Sequence, residues 1–298
     1  MCGMEQAKGD TWMLETSNLC IPAFRLDQKQ LILMDSGQAG DDLDELLTIL
    51  RREGQTVRAV LTSHTHNDHT GGHRALRGLY GTELVASLFN AAVLENPLGL
   101  RAYFYEDTYH EVLQHSALMG AHVDRLILPG QRSIDIDGAV FQILDLPGHS
   151  PEHLGFVTPD GIAYLADLLL SRDQFSTAKL PYITCCELDF ASKRRAATWD
   201  YTGYLLAHKG YTEQITELVE ANLALWEEKL NVILGQLEGE KTMEECVAAT
   251  AKALCLGGKS HFIRMSVGRS VRAMVQYLVD RGLVFGQTRD WTAYYRRA

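Results

Sequence analysis

Residues 57–73 read VRAVLTSHTHNDHTGGH. The stretch begins as a short apolar run of the kind that forms a buried strand. It ends in a crowd of imidazoles: His64, His66, His69 and His73, with Asp68 among them. Any fold for this chain has to deliver that cluster from the end of a strand. The residue types point to a metal. A divalent ion such as zinc takes imidazole nitrogen and carboxylate oxygen, and catalytic sites keep one position open for water. His64 and His66, two apart just past the strand, turn both rings to one metal. Asp68 and His69, adjacent in the following turn, face a neighbouring second one.

The partners that would complete such a pair of sites also stand where apolar runs end. LILMDSG offers Asp35, FQILDLPGHS offers His149, IAYLADLLL offers Asp167 and GYLLAHKGY offers His208. In this reading His149 completes the first site, Asp167 bridges the two ions and His208 completes the second. Asp35 orients a ligand histidine from behind rather than binding metal; its bland alternative is an aspartate capping a turn. Two ions about 3.5–4 Å apart share a hydroxide, lower its pKa and clamp an oxyanion. Asp68 then has a second task, orienting that hydroxide or accepting its proton.

HTHNDH, with Asp35 before it and His149, Asp167 and His208 after it, resembles the metallo-β-lactamase superfamily of hydrolases. The blocks follow in that family's order over most of residues 30–210. The resemblance implies a four-layer αββα sandwich, two sheets faced by helices, with the metals at one edge. It implies zinc most often, with iron or manganese as alternatives. At the position of His66, family members that reduce oxygen or nitric oxide carry Glu. His66 therefore argues for a hydrolase. His208 argues against the mononuclear iron sulfur dioxygenases of the superfamily, which use no ligand there. His261 is its rival but lacks the strand-end context. His73, at the first turn of a short helix, reads as structural, as does His153. His110, His115 and His122 receive no role.

The rest of the chain reads as strands with helices interspersed. Residues 41–52, DDLDELLTILRR, place acids first, a leucine stripe next and arginines last, as a helix dipole favours. Residues 88–122 form an insertion near the site. Tyr103, Phe104, Tyr105 and Tyr109 make it an apolar lid or ordinary core. Strand meanders follow, and helices dominate from residue 191, including a long one around 212–237. The reading divides the chain into a lactamase-like domain, 1–238, and a small basic region, 239–298. Thr242 with Glu245 forms a capping-box pattern, GRSVRAMVQYLVDRGLV is amphipathic, and FGQTRDWTAYYRR suits a strand pair. This order resembles the winged-helix-like extension of some lactamase-like hydrolases, including endoribonucleases and relatives of glyoxalase II.

Charge is unevenly spread. The whole chain carries -10, yet Lys259, Arg264, Arg269, Arg272, Arg281, Arg289, Arg296 and Arg297 face only Asp280 and Asp290 in residues 259–298. That tail is +6 and the remainder is -16. Two readings of the tail stand: nucleic-acid contact through Arg269, Arg272, Arg281 and Arg289, or a cap or dimer contact shaping the substrate entrance. The acidic body, which repels phosphate backbones, favours the second. Cys2, Cys20, Cys185, Cys186, Cys246 and Cys255 include no CxxC pair and read as reduced thiols. No run is long and apolar enough to span a bilayer, and MCGMEQAKGDTWM has no signal-peptide core. A cytoplasmic hydrolase of a small ester, thioester or lactone-like substrate is expected. A phosphodiesterase or endoribonuclease on the same core is the main rival, and a non-catalytic binding protein the more distant one. A secreted β-lactamase does not fit. No membrane partner is expected, and a homodimer is open.

Overall fold

The computed structural model describes residues 3–103, 108–208, 210–257 and 261–298. Cys2, Phe104, Tyr105 and Lys259, named above, lie outside these residues. The chain divides into two units. The first comprises residues 1–146, 152–167 and 199–214; the second comprises 147–151, 168–198 and 215–298. The expected boundary at residue 238 falls inside the second unit. No helix among the described residues is long and apolar enough to cross a membrane.

The first unit opens with β1 (Gly3–Lys8), β2 (Thr11–Glu15), β3 (Cys20–Arg25) and β4 (Gln30–Met34). Then come α1 (Asp41–Arg52), β5 (Thr56–Leu61), the single turn α2 (Asn67–Thr70), α3 (His73–Tyr80) and β6 (Glu83–Ser87). The described residues of the insertion form three helices, α4 (Leu88–Glu95), α5 (Pro97–Tyr103) and α6 (Tyr109–Met119), before β7 (Arg125–Ile127). These seven strands make one sheet in sequence order, antiparallel from β1 to β4 and parallel from β4 to β7. A second sheet combines β8 (Ser133–Ile136), β9 (Ala139–Asp145), β10 (Leu154–Val157), β11 (Ile162–Tyr164), β12 (Gly203–Leu206) and β13 (Gly210–Thr212), in the order β13-β12-β11-β10-β9-β8.

Side-chain patterning explains the stacking. Leu31, Ile32, Leu33 and Met34 of β4 are fully buried, so both faces of that strand are covered, as a parallel strand requires. In β9 the buried Ala139, Phe141 and Ile143 alternate with exposed Val140 and Gln142, the period of a strand with one face in the core. Leu31, Leu33 and Val60 from the first sheet join Phe141, Phe156, Tyr164 and Leu205 from the second in one apolar cluster. Leu46, Ile49 and Leu50 of α1 enter the same cluster, which seats the helix. Each fully buried side chain of this size contributes about 1.5–3 kcal/mol. The three parallel strands β4, β5 and β6 therefore end together on a rigid base. Asp35 directly follows the C-terminal end of β4, and His64 lies three residues past that of β5.

The second unit holds α7 (Cys186–Ala196), α8 (Thr216–Gln236), β14 (Lys241–Thr242), α9 (Met243–Ala253), α10 (His261–Asp280), β15 (Val284–Arg289) and β16 (Thr292–Arg297). Its own core includes Phe190, Trp226, Ile233, Met274, Val275 and Leu278. The capping box is formed: Glu245 N donates to Thr242 Oγ1 at 3.2 Å and Thr242 N to Glu245 Oε2 at 2.8 Å. The helix–helix–strand-pair order of the tail is present. β15 and β16 form a hairpin whose turn residues, Asp290 and Trp291, both have positive φ, as a tight two-residue turn demands.

Candidate metal centre

The histidine cluster occupies the loop after β5 and the turn α2. Gly71 and Gly72 let this loop close. Both have ordinary negative φ, so their role is space. A Cβ on Gly71 would lie 2.1 Å from Ala39 N, and one on Gly72 would lie 2.5 Å from Ser36 O. Two loops, from β4 and β5, thus approach at backbone distance, and that brings Asp35 against the cluster.

Asp35 is buried and holds a left-handed conformation, φ 68°. Its Oδ1 accepts from Ser63 N at 2.7 Å. Its Oδ2 accepts from His69 Nδ1 at 2.8 Å, Ser63 Oγ at 2.6 Å and Tyr164 OH at 2.7 Å. Because Ser63 Oγ gives its proton to Asp35, it accepts from His64 Nδ1, 2.9 Å away. One carboxylate therefore fixes two imidazoles, His69 directly and His64 through a hydroxyl. In both rings Nε2 is the outward nitrogen, the one left to offer a lone pair to an ion. His208 is fixed similarly, with Nδ1 3.3 Å from Asn18 O.

Those lone pairs converge. The ligand atoms of Asp68, His69, Asp167 and His208 all lie within 4.8 Å of one another, and so do those of His64, His66 and Asp167. Asp167 belongs to both groups. His69 Nε2 is 3.3 Å from Asp167 Oδ1 and 3.7 Å from Asp68 Oδ2. His208 Nε2 is 3.4 Å from Asp68 Oδ2 and 3.6 Å from Asp167 Oδ1. His64 Nε2 faces His66 Nδ1 at 3.0 Å. His149, the remaining expected ligand, sits on residues 147–151 of the second unit, where its Nδ1 is 3.2 Å from Tyr182 O.

The donor set fits divalent cations. His69 Nε2 is buried and makes no hydrogen bond among the described residues. Asp68 and Asp167 crowd negative charge into a place with little water, which calls for a compensating cation. In the metal-free chain protons take that part. Burial would push His69 down, but Asp167, Asp68 and Asp35 together hold its imidazole well above the usual histidine range. Burial also opposes charge on His208, yet the hydrogen bond and charge of Asp167, with Asp68, raise it to about 10. Burial alone would raise Asp68, but His69 and the His208 hydrogen bond hold it down at about 2.

The remaining histidines stand apart. His73 is fully buried between two hydroxyls, with Nδ1 2.6 Å from Ser36 Oγ and Nε2 2.9 Å from Thr62 Oγ1. Burial lowers it to about 4, so it is neutral and braces the two loops. His153, also buried, donates Nδ1–H to Leu146 O at 3.0 Å and accepts Asp167 N at Nε2, 3.3 Å away. Burial keeps it neutral, with a pKa of about 4, and it fixes the backbone of Asp167. His110, His115, His122 and His261 belong to neither ligand group. Ser63, Tyr164, His153 and Tyr103, whose hydroxyl lies 3.4 Å from His66 Nε2, are supporting residues that sequence reasoning did not assign to the site. Their apolar-run contexts signal strands and core, and nothing local tells that they touch ligands.

The model of the metallo-beta-lactamase superfamily matches residues 23–235. The chain belongs to that superfamily. A metallo-beta-lactamase family protein from Thermus thermophilus superposes with a TM-score of 0.71 over 94% of each chain, at 19% identity, so the superfamily fold is shared. The hydroxyacylglutathione hydrolase GloC of Haemophilus influenzae is 25% identical over 147 residues, 48% of this chain and 63% of that one. A hydroxyacylglutathione hydrolase from a Synechococcus species is 25% identical over 157 residues, 47% of this chain and 46% of that one. The chain thus spans roughly half the length of these curated relatives.

Proposed function

We propose that this superfamily member is a binuclear metal hydrolase of a small ester, thioester or lactone-like substrate. The observation that carries the reading is Asp167, whose carboxylate is common to two ligand groups. His64, His66 and Asp167, completed by His149, would hold one ion. Asp68, His69, Asp167 and His208 would hold the other. Zinc is the first expectation, with iron and manganese as alternatives that the same N/O donors accept. Bound ions would supply an activated water and positive charge facing the oxyanion that develops on a substrate carbonyl.

The chain's own residues do the rest. Asp35 holds the His64 and His69 rings in fixed orientations, so their Nε2 atoms are aimed before any ion arrives. His153 fixes the main chain at Asp167. Asp68 is ionised at neutral pH and is one-third exposed, so it has an oxygen with which to orient the attacking water or take its proton. The likeness to hydroxyacylglutathione hydrolases favours thioesters within the substrate class. A small molecule is favoured over nucleic acid because Arg272 and Arg289 are engaged by Glu244 and Glu240 of their own unit. The five described cysteines are free, in keeping with a cytoplasmic setting.

Metal content by elemental analysis tests the reading, on wild type and His208→Ala. Two ions per chain falling to one is the expected result. One iron per chain, unchanged by the substitution, would overturn the binuclear hydrolase in favour of a mononuclear oxygenase.

A further inference from the structure

The insertion begins directly after β6, and two of its side chains reach back to the metal loop. Asn90 of α4 is fully buried; its Nδ2 donates to Ser63 O at 3.3 Å and to Glu152 O at 3.0 Å. The α4 turn is itself capped, with Asn90 N donating to Ser87 Oγ. Phe89 N donates to Glu152 Oε2 at 2.8 Å. The start of the insertion is therefore pinned to the strand end that carries His64 and His66. From that anchor the chain leads through α5 to Tyr103, which is 8% exposed. The Tyr103 ring stands edge-on to Phe89, with centroids 5.3 Å apart at 88°. It lies nearly parallel to His66, at 6.5 Å and 16°. Its hydroxyl is 3.4 Å from His66 Nε2.

The two nitrogens of His66 thus face opposite ways. Nδ1 looks toward His64 Nε2 and the candidate ligand group; Nε2 looks toward the insertion. A ligand imidazole carries its remaining proton on the nitrogen away from the ion, and the acceptor of that proton sets ring orientation and ligand basicity. His64 and His69 draw this support from Asp35. His66 has its counterpart in a phenol on a separate helix.

We propose that Tyr103 is a positioning residue for His66: its hydroxyl oxygen accepts Nε2–H and its ring restrains the imidazole plane, so the insertion sets the affinity of the ion held by His64 and His66. The inference rests on the reading of His66 as a metal ligand. It gives the 88–122 segment a task that neither a lid nor plain core packing supplies. Tyr103→Phe isolates the hydroxyl, because the ring stays between Phe89 and His66.

The test is a chelator-competition titration with zinc on wild type and Tyr103→Phe, giving a dissociation constant for each ion, with the cobalt(II) visible spectrum of each protein beside it. Supporting residues of this kind are worth about 10–100-fold in affinity. The expected result is about a tenfold weaker constant for one ion only, a changed cobalt band for that ion, and hydrolysis restored to Tyr103→Phe by excess zinc. Two ions bound with wild-type constants by a folded Tyr103→Phe would overturn the role of Tyr103 and leave the binuclear reading standing. Fewer than two ions in wild type itself would overturn the binuclear reading and this inference with it. Tyr103→Leu, melting as wild type does, serves as the second variant: it removes ring and hydroxyl together and should weaken the same ion further.

Discussion

Tyr164→Phe removes one hydroxyl from the centre of the molecule and changes nothing else in volume. Tyr164 is 1% exposed, and its hydroxyl gives its proton to Asp35 Oδ2 across 2.7 Å. The two groups lie on different sheets, so this bond ties the second sheet to the loop that organises His64 and His69. A hydrogen bond to a charged acceptor is worth about 1.5–3 kcal/mol. Asp35 Oδ2 keeps two other donors, Ser63 Oγ and His69 Nδ1, so the substitution leaves no stranded carboxylate. The loss should therefore sit in the lower half of that range, about 1.5–2 kcal/mol. Urea unfolding of metal-free protein measures it directly, with m unchanged if the denatured state is unaffected. Repeating the substitution in an Asp35→Asn background sharpens the test. The acceptor is then neutral, and the cost of losing the phenol should fall to about 1 kcal/mol or less. A loss below about 0.5 kcal/mol in the Asp35 protein, or the same loss in both backgrounds, would refute the claim that Tyr164 acts through a charged Asp35.

Three further outcomes follow from the geometry of the site. His69 and His208 are raised in the metal-free chain, His208 to about 10, so both are protonated near pH 7 and must lose protons when an ion takes their lone pairs. Zinc affinity should rise with pH between about 6.5 and 10, and calorimetry in buffers of different ionisation enthalpy should show protons released; zero release would contradict it. By the same sign, the stability that the raised His208 lends the metal-free protein is full below its ordinary value of 6.5 and lost as pH rises through about 10. Gly71→Ala places a methyl 2.1 Å from Ala39 N, so the β4 and β5 loops must part. The cost should be about 2–3 kcal/mol together with weaker metal binding, and an alanine variant with wild-type melting and metal content would show that the close approach is dispensable.

Much of the first sheet was legible because its signals are local. The helix over 41–52 has the bounds read from its charge order, since acids and arginines mark the two ends within one short segment. Four candidate ligands lie within six residues, and the more distant ones, Asp35, His149, Asp167 and His208, each follow an apolar run that forms a strand, β4, β9, β11 and β12 respectively. The N-terminal hairpin of β1 and β2 escaped notice: β1, GMEQAK, is an edge strand with polar and half-exposed residues, so it carries no alternating apolar pattern. The long helix starts at Thr216 rather than Thr212 because residues 210–212 pair with β12 as β13. The described residues of the insertion form three helices, and its tie to His66 depends on which face of α5 Tyr103 occupies, something periodicity in a mixed, aromatic segment does not fix. Tyr164 is 129 residues from Asp35 in sequence, and only the facing of two sheets joins them.

His64, His66, Asp68 and His69 follow one strand end together, while Asp167 and His208 follow β11 and β12, which the ribosome produces much later. A growing chain would therefore hold an imidazole-rich half of the proposed site before Asp167 is made. On the binuclear reading, an ion caught at that stage would lack the shared carboxylate and would exchange with whatever metals the surroundings offer. The remaining donors would arrive only when β11 and β12 join the second sheet. Recombinant protein made in media of different metal content should then differ in the metal it carries.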